Sequence, residues 1–409
     1  MDGEKAFVTE ISHCELCGNK DIPTVIDLGL QPLCDDLIEK GSHQSVQKYP
    51  TEICYCPHCF TAHQRFQIAK EALFKPSYHY RAHLTKDVLT GMKDFVESCA
   101  EMTGALSNKK VIDIGCNDGS LLSIFKEHGC LTMGVEPTDA IDEAVQIDHP
   151  IKGFFDHQTV EQCKKQFSKP DLVTFTNVFA HIENLGGVLE NLKNLCAPET
   201  LLVIENHYLG SVLSQFQFDT FYHEHPRTYS FESFKTIART LGMKIVKVQF
   251  PSRYGGNIRV FMSKNQKFGQ IENKEIERLY EIEKQFESKI ETIQTFIQHW
   301  PAKFKKQLRQ LQAEGRKIAG KAFPARASII INLLDIDKNT IAQILEQPGS
   351  PKLGHLVPGT DIEIVSDEFM NNYDVIINFA WHIHEEITRY LEGAGFKGEI
   401  IPVLSIDRS

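Results

Sequence analysis

The chain predicts an α/β fold in two sheet-bearing parts, preceded by a small cysteine-bearing lobe. Between residues 77 and 264, and again from 315 to 409, short apolar runs alternate with segments of helical spacing. That alternation is the pattern of mostly parallel sheets covered by helices on both faces. Residues 1–76 hold six of the eleven cysteines and little helical periodicity. With 409 residues in all, two or three cores of about 100–200 residues each are expected.

The elements follow in order. KKVIDIG reads as a buried strand, LLSIFKEHG as a helix, LTMGVEP and DLVTFTNVF as further strands, ENLGGVLENLKNLC as a helix and TLLVIENH as a strand. MKIVKVQF and NIRVFMS read as an antiparallel closing hairpin, a common variation at the edge of such sheets. Residues 265–314 are linking helix: Ile276, Leu279, Ile282, Phe286, Ile290, Ile293 and Ile297 recur at three- and four-residue spacing. Pro301 is expected to interrupt that pattern, because a proline lacks the N–H that a helix interior needs. From residue 315 the alternation resumes with KIAGKAF, ASIIINLLDI, DIEIVS, YDVIINFA, HEEITRYLEG and EIIPVLS.

The charge sum is −10, so neither nucleic acid nor an anionic membrane is an expected partner. No apolar run reaches the roughly 18 residues of a membrane span. The first residues, MDGEKAFVTE, lack the profile of a secretion signal, so a cytoplasmic location is expected. Thiols in that compartment are seldom disulfide-bonded, which leaves the cysteines as ligands, buried thiols or catalytic groups.

Cys14-Glu15-Leu16-Cys17-Gly18 and Cys56-Pro57-His58-Cys59 are two CxxC knuckles with 38 residues between them. Two such pairs supply the four thiolates of a closed structural zinc site. Buried or redox-active thiols are the alternative, and Cys34 or Cys54 could stand in for a ligand.

The stretch from Val111 to Ser120 passes from strand to helix through Asp113, Gly115, Asn117 and Gly119. Its two glycines permit a tight turn and close approach of a ligand to the backbone. About twenty residues further on, Glu136 ends the next strand, where a carboxylate can bind two ribose hydroxyls. Asn177 ends a later strand on the same sheet edge. This D-x-G-x-N-x-G pattern with its acidic partner resembles motif I of class I S-adenosylmethionine (SAM) methyltransferases.

Phe218-Asp219-Thr220-Phe221-Tyr222-His223-Glu224-His225 follows the strand TLLVIENH and gathers two imidazoles, two carboxylates and a phenol. A histidine can take a proton, a glutamate can orient it, and a phenol can hydrogen-bond a developing oxyanion. A polar loop or an H-x-H metal pair is the plainer reading.

Taken together, CELCG, CPHC, Tyr78-His79-Tyr80, IDIGCNDGSLL, VEP, NVFAHIENL, FDTFYHEH, YGGNIRVF and PGTDIEI resemble the sugar C-methyltransferases that add a methyl group at C3 of 4-keto-deoxy nucleotide sugars. The similarity spans essentially the whole chain. It implies a zinc lobe at 1–76, a class I SAM methyltransferase (Rossmann-like) domain at 77–264, and a second, Rossmann-like α/β domain at 315–409. The resemblance casts His225 as the base for the proton beside the ketone. Tyr222 and one of Tyr78 and Tyr80 would stabilise the enolate oxygen, and Glu224 would support the histidine or bind the sugar. The cofactors implied are SAM, held by Asp113, Gly115, Asn117, Gly119, Glu136 and Asn177, and a structural zinc on Cys14, Cys17, Cys56 and Cys59.

The chain departs from that family in three places. The glycine-rich G-x-G-A-P-A-K-G turn, which the resemblance associates with the nucleotide diphosphate, reads Gly320-Lys321-Ala322-Phe323-Pro324-Ala325-Arg326-Ala327. Ala82 and His83 stand where serines commonly follow YxY, and LPWN appears as Phe379-Ala380-Trp381-His382. The alternative activities are O- or N-methylation of another small metabolite. A zinc-ribbon adaptor is a third reading, against which the acidic balance counts. A small-molecule substrate and a monomer or weak dimer are expected.

Overall fold

The computed structural model describes residues 7–42, 45–76, 80–84 and 86–404. The chain forms two compact units: 1–24, 54–212 and 224–287 make the first, and 25–53, 213–223 and 288–409 the second. The first 76 residues therefore contribute to both.

The first unit is built on a seven-stranded sheet. Its strands are β1 (Lys110–Ile114), β2 (Leu131–Glu136), β3 (His149–Lys152), β4 (Leu172–Thr176), β5 (Leu201–His207), β6 (Lys244–Gln249) and β7 (Asn257–Ser263). Their order across the sheet is β6-β7-β5-β4-β1-β2-β3. The five central and outer strands β1 to β5 run parallel, and β6 and β7 add the antiparallel pair expected at the end. Val111, Ile112, Leu172, Val173, Phe175 and Leu201 are fully buried, as apolar strands covered on both faces must be. The order reverses between β1 and β4, so the loops after Ile114 and Thr176 flank the crevice where α/β sheets bind ligands. Val8–Glu10 and Phe66–Ile68 form a small antiparallel pair, and Thr61–Gln64 pairs antiparallel with Arg227–Thr228 at one end of a four-stranded sheet.

The second unit also carries a seven-stranded sheet. Its strands β8 (Ile318–Lys321), β9 (Gln343–Glu346), β10 (His355–Leu356), β11 (Glu363–Ser366), β12 (Val375–Asn378) and β13 (Glu399–Pro402) lie in the order β13-β12-β8-β9-β11-β10, and Ile38–Glu39 closes the edge. The five strands from β13 to β11 are parallel and the edge pairs antiparallel, a second Rossmann-like layer. Ala319, Leu345, Ile376, Leu391 and Phe396 form part of its core.

The linking region is two helices, Asn273–Glu283 and Phe286–Ala313, and the second runs through Pro301 without a break. The interruption expected at Pro301 falls instead at residues 284–285. A proline costs about 3 kcal/mol in a helix interior. Phe296, Trp300 and Phe304 lie on one helix face across it, stacked at 5.9 and 5.6 Å. Burial of Trp300, Phe304 and Leu308 returns about 1.5–3 kcal/mol each, which outweighs the proline. Among the described residues no helix is long and apolar enough to cross a membrane.

Candidate active site and metal centre

Cys14, Cys17, Cys56 and Cys59 converge, their four sulfurs lying within 4.8 Å of one another. Cys14 and Cys59 approach to 3.5 Å, as do Cys17 and Cys56. Tetrahedral zinc with bonds of about 2.3 Å sets its sulfurs roughly 3.8 Å apart, so the donor set fits Zn²⁺. Each knuckle closes with a backbone bond four residues long, Gly18 N to Cys14 O and Phe60 N to Cys56 O, both 2.8 Å. Gly18 takes φ +77°, and the second knuckle puts Phe60 at +54°, a strained position for a bulky residue. Cys34 and Cys54 lie outside the set. Four thiolates leave no open position for a substrate or a water, so the site is structural.

That knuckle also holds the histidine loop. Glu15, between Cys14 and Cys17, receives Arg227 Nη1 at 2.5 Å and Gln67 Nε2 at 2.6 Å. Burial opposes the Glu15 charge, yet the Arg227 guanidinium and His63 hold the carboxyl at about 2. Arg227 is fully buried and stands two residues after His225.

At the crevice, Gly115, Asn117 and Gly119 all take positive φ, +72°, +51° and +76°. A side chain at Gly115 would come within 2.5 Å of Val178, so the bare backbone is what lets the turn close. The loop folds onto β2: Gly115 N reaches Val135 O at 2.7 Å, and Asn117 N donates to Glu136 Oε2 at 3.1 Å. Glu136 also receives Thr138 N and Oγ1 at 2.9 and 2.6 Å. Asp113 is buried and receives Thr174 Oγ1 at 2.6 Å; burial pushes its carboxyl up to about 7 against that bond. Asn177 takes φ +56° and its side chain accepts from Asn257 Nδ2 at 3.1 Å. Asn257 in turn donates to the buried Glu205, which Arg253 and Arg259 also pair. The structure thus gathers these predicted residues around one turn, a cradle of backbone and carboxylate.

The loop also fastens the segment that carries Tyr80. Asn117 Nδ2 donates to Tyr80 O at 3.1 Å and its Oδ1 accepts from Ala82 N at 3.0 Å. His83, one of the departures, donates its backbone N–H to Asp118 Oδ2 at 2.9 Å, and its ring lies 2.8 Å from the same oxygen. Tyr78 lies outside the described residues.

His225, 4 % exposed, sits among rings that sequence spacing did not single out. His181 lies 4.7 Å and His207 5.2 Å from it between centroids, and Tyr254 lies 5.8 Å from His207. The Tyr254 hydroxyl meets that of Tyr80 at 3.1 Å. Tyr254 holds φ +55°, a conformation that costs energy in a large residue and often marks a working site. Burial draws His181 down to about 4, against hydrogen bonds to the backbone of Asn177 and Glu224. Glu224 is buried. Tyr222 and His223 belong to the second unit. His223 Nε2 lies 3.1 Å from Thr51 Oγ1 and 3.3 Å from Pro50 O, and burial lowers it to about 4. It is a packed, neutral histidine.

The glycine-poor turn ends β8. Ala322 keeps a left-handed φ of +62° where a glycine is expected, which costs roughly 1–2 kcal/mol. Lys321 is 1 % exposed, and its Nζ donates to Asp367 Oδ2 at 2.6 Å.

Known domain families match the chain in this order: a zinc binding domain at 14–74, a methyltransferase domain at 80–248 and a C-methyltransferase C-terminal domain at 252–403. The C-methyltransferase NovU of Streptomyces niveus is 27% identical over 404 residues, covering 95% of each chain. A ubiquinone biosynthesis O-methyltransferase of Glaesserella parasuis serovar 5 is 30% identical over 112 residues, 25% of this chain and 48% of that protein. Among solved structures, magnesium protoporphyrin IX methyltransferase from Synechocystis PCC 6803 with bound SAH is 18% identical, covering 43% of this chain and 83% of that one at a TM-score of 0.34. The sheet order, the glycine turn and the matched domains define a class I SAM-dependent methyltransferase with a structural zinc site. The C-methyltransferase C-terminal domain and the likeness to NovU along 95% of the chain mark it as a SAM-dependent C-methyltransferase.

Proposed function

We propose that the carbon methylated lies next to the ketone of a keto-deoxy nucleotide sugar, and that His225 removes its proton. The observation that carries this reading is the ring cluster around His225, with His181 and His207 within 5.2 Å and the Tyr80–Tyr254 hydroxyl pair beyond. A C–H beside a ketone is acidic only while the developing oxyanion is stabilised. Tyr222 and one of Tyr78 and Tyr80 supply phenols for that oxygen, and Glu224 supports the imidazole or a sugar hydroxyl. SAM, held by Asp113, Gly115, Asn117, Gly119, Glu136 and Asn177, supplies an electrophilic methyl group when bound. The protein's part is then proton removal, oxyanion stabilisation and positioning.

Incubation with SAM and a panel of keto nucleotide sugars, followed by NMR location of the new methyl, tests this. A methyl on the carbon beside the ketone is the expected product. A methyl on oxygen or nitrogen, or on a carbon remote from any carbonyl, overturns it.

A further inference from the structure

We propose that Asp219 and Arg326 form a clamp that positions the Tyr222 loop for the reaction, an inference that rests on the role given to Tyr222 above. Arg326 Nε donates to Asp219 Oδ2 at 2.8 Å and Nη2 to Oδ1 at 3.0 Å, a two-pronged pair. Trp381 Nε1 adds a third bond to Oδ2 at 3.0 Å, and the guanidinium lies 5.5 Å from the Trp381 ring centroid. Asp219 is fully buried, and Arg326 and Trp381 are 7 % and 6 % exposed.

All three belong to the second unit, and each comes from a feature left unexplained by the sequence: the carboxylate of FDTFYHEH, the arginine of the altered turn, and the tryptophan of the altered LPWN pattern. Burying both charges is costly, and packed apolar side chains would hold the loop at least as firmly. Apolar anchoring is already present, since Phe218 packs 5.6 Å from Trp300 and Phe216 4.7 Å from Phe296. What the fork adds is direction: two parallel bonds to a planar carboxylate fix the loop's orientation as well as its depth. The fixed carboxylate stands three residues before Tyr222, so a small rotation there moves the phenol. Arg326 thus gives Nε and Nη2 to Asp219, with Nη2 also 3.4 Å from Gln217 Oε1, and Lys321 gives Nζ to Asp367; both cations of this turn hold the protein's own carboxylates.

The test uses the full chain with Arg326→Lys and the paired change Asp219→Asn with Arg326→Gln, which leaves no lone buried charge. Peptide hydrogen–deuterium exchange over 213–223 is compared with that over 328–333, alongside zinc content, SAM affinity and the kcat and KM of whichever keto nucleotide sugar the parent methylates. The clamp predicts roughly tenfold faster exchange in 213–223 only. It predicts a fall in kcat of up to about 100-fold, with KM and SAM affinity near parental and Arg326→Lys milder than the pair. Exchange in 213–223 unchanged in the paired variant overturns the clamp, whether or not any sugar is turned over. Parental kcat despite faster exchange overturns its part in the reaction. Faster exchange across both segments with lost SAM binding shows a structural role only and overturns positioning. A parent inactive on every keto sugar refutes the substrate reading and leaves the clamp to be judged by exchange.

Discussion

His223 and His225 stand two residues apart, and replacing His223 separates their parts. The His223 imidazole is 1 % exposed and bonded near Thr51 and Pro50. Burial lowers its affinity for a proton to about 4, against about 6.5 in an unfolded chain. Protons therefore bind the unfolded state preferentially between those two values, and the stability present above about pH 6.5 drains away as pH falls. The full shift corresponds to about 3 kcal/mol, of which about 2 kcal/mol is lost by roughly pH 5. His223→Gln keeps a hydrogen-bonding group at the site without the titration. Urea unfolding of parent and variant at about pH 7.5 and about pH 5 measures the difference, and the variant's disadvantage should shrink by about 2 kcal/mol in acid. A difference between the two proteins that is the same at both pH values would refute the neutral, buried assignment.

Three further outcomes follow from the site. Complete removal of zinc by a chelator should lower the melting temperature, expose four thiols to reagent and reduce turnover, because Glu15 in the knuckle grips Arg227 next to His225; unchanged melting contradicts the structural role. Gly115→Ala should weaken SAM binding by about 2 kcal/mol, roughly thirtyfold in Kd, through the left-handed backbone and the Val178 contact, and calorimetric titration giving the parental Kd would refute the cradle. Tyr254→Phe removes the hydroxyl that meets Tyr80, and should lower kcat about tenfold at unchanged SAM affinity; a kcat equal to the parent's would remove Tyr254 from the site.

Both sheets were legible because their central strands are apolar on successive residues, as in Val111-Ile112 and Leu201-Leu202-Val203-Ile204, and bounded by turn residues. The glycine turn and the two cysteine knuckles were legible for a related reason: within each, the residues are close in sequence and their spacing carries the signal. His181 and Tyr254 lie within NVFAHIENL and YGGNIRVF and His207 ends TLLVIENH, but their spacing assigns them no part, since only the folded sheet brings the ends of β4 and β5 and the turn before β7 together. Asp219 and Arg326 are 107 positions apart, and nothing local to either announces its partner. Phe60 turns the second knuckle without the glycine that marks the first. Pro301 misled for the opposite reason: its local rule is sound, and tertiary burial of Trp300 and Phe304 overrides it.

The claim at the centre of this account is proton removal by His225. With SAM and a keto nucleotide sugar in deuterated water, the parent should exchange the C–H beside the ketone and place the new methyl on that carbon. His225→Asn should lose both by about 100- to 10,000-fold while keeping its zinc and its SAM affinity. Near-parental exchange and methylation in that variant would contradict the assignment.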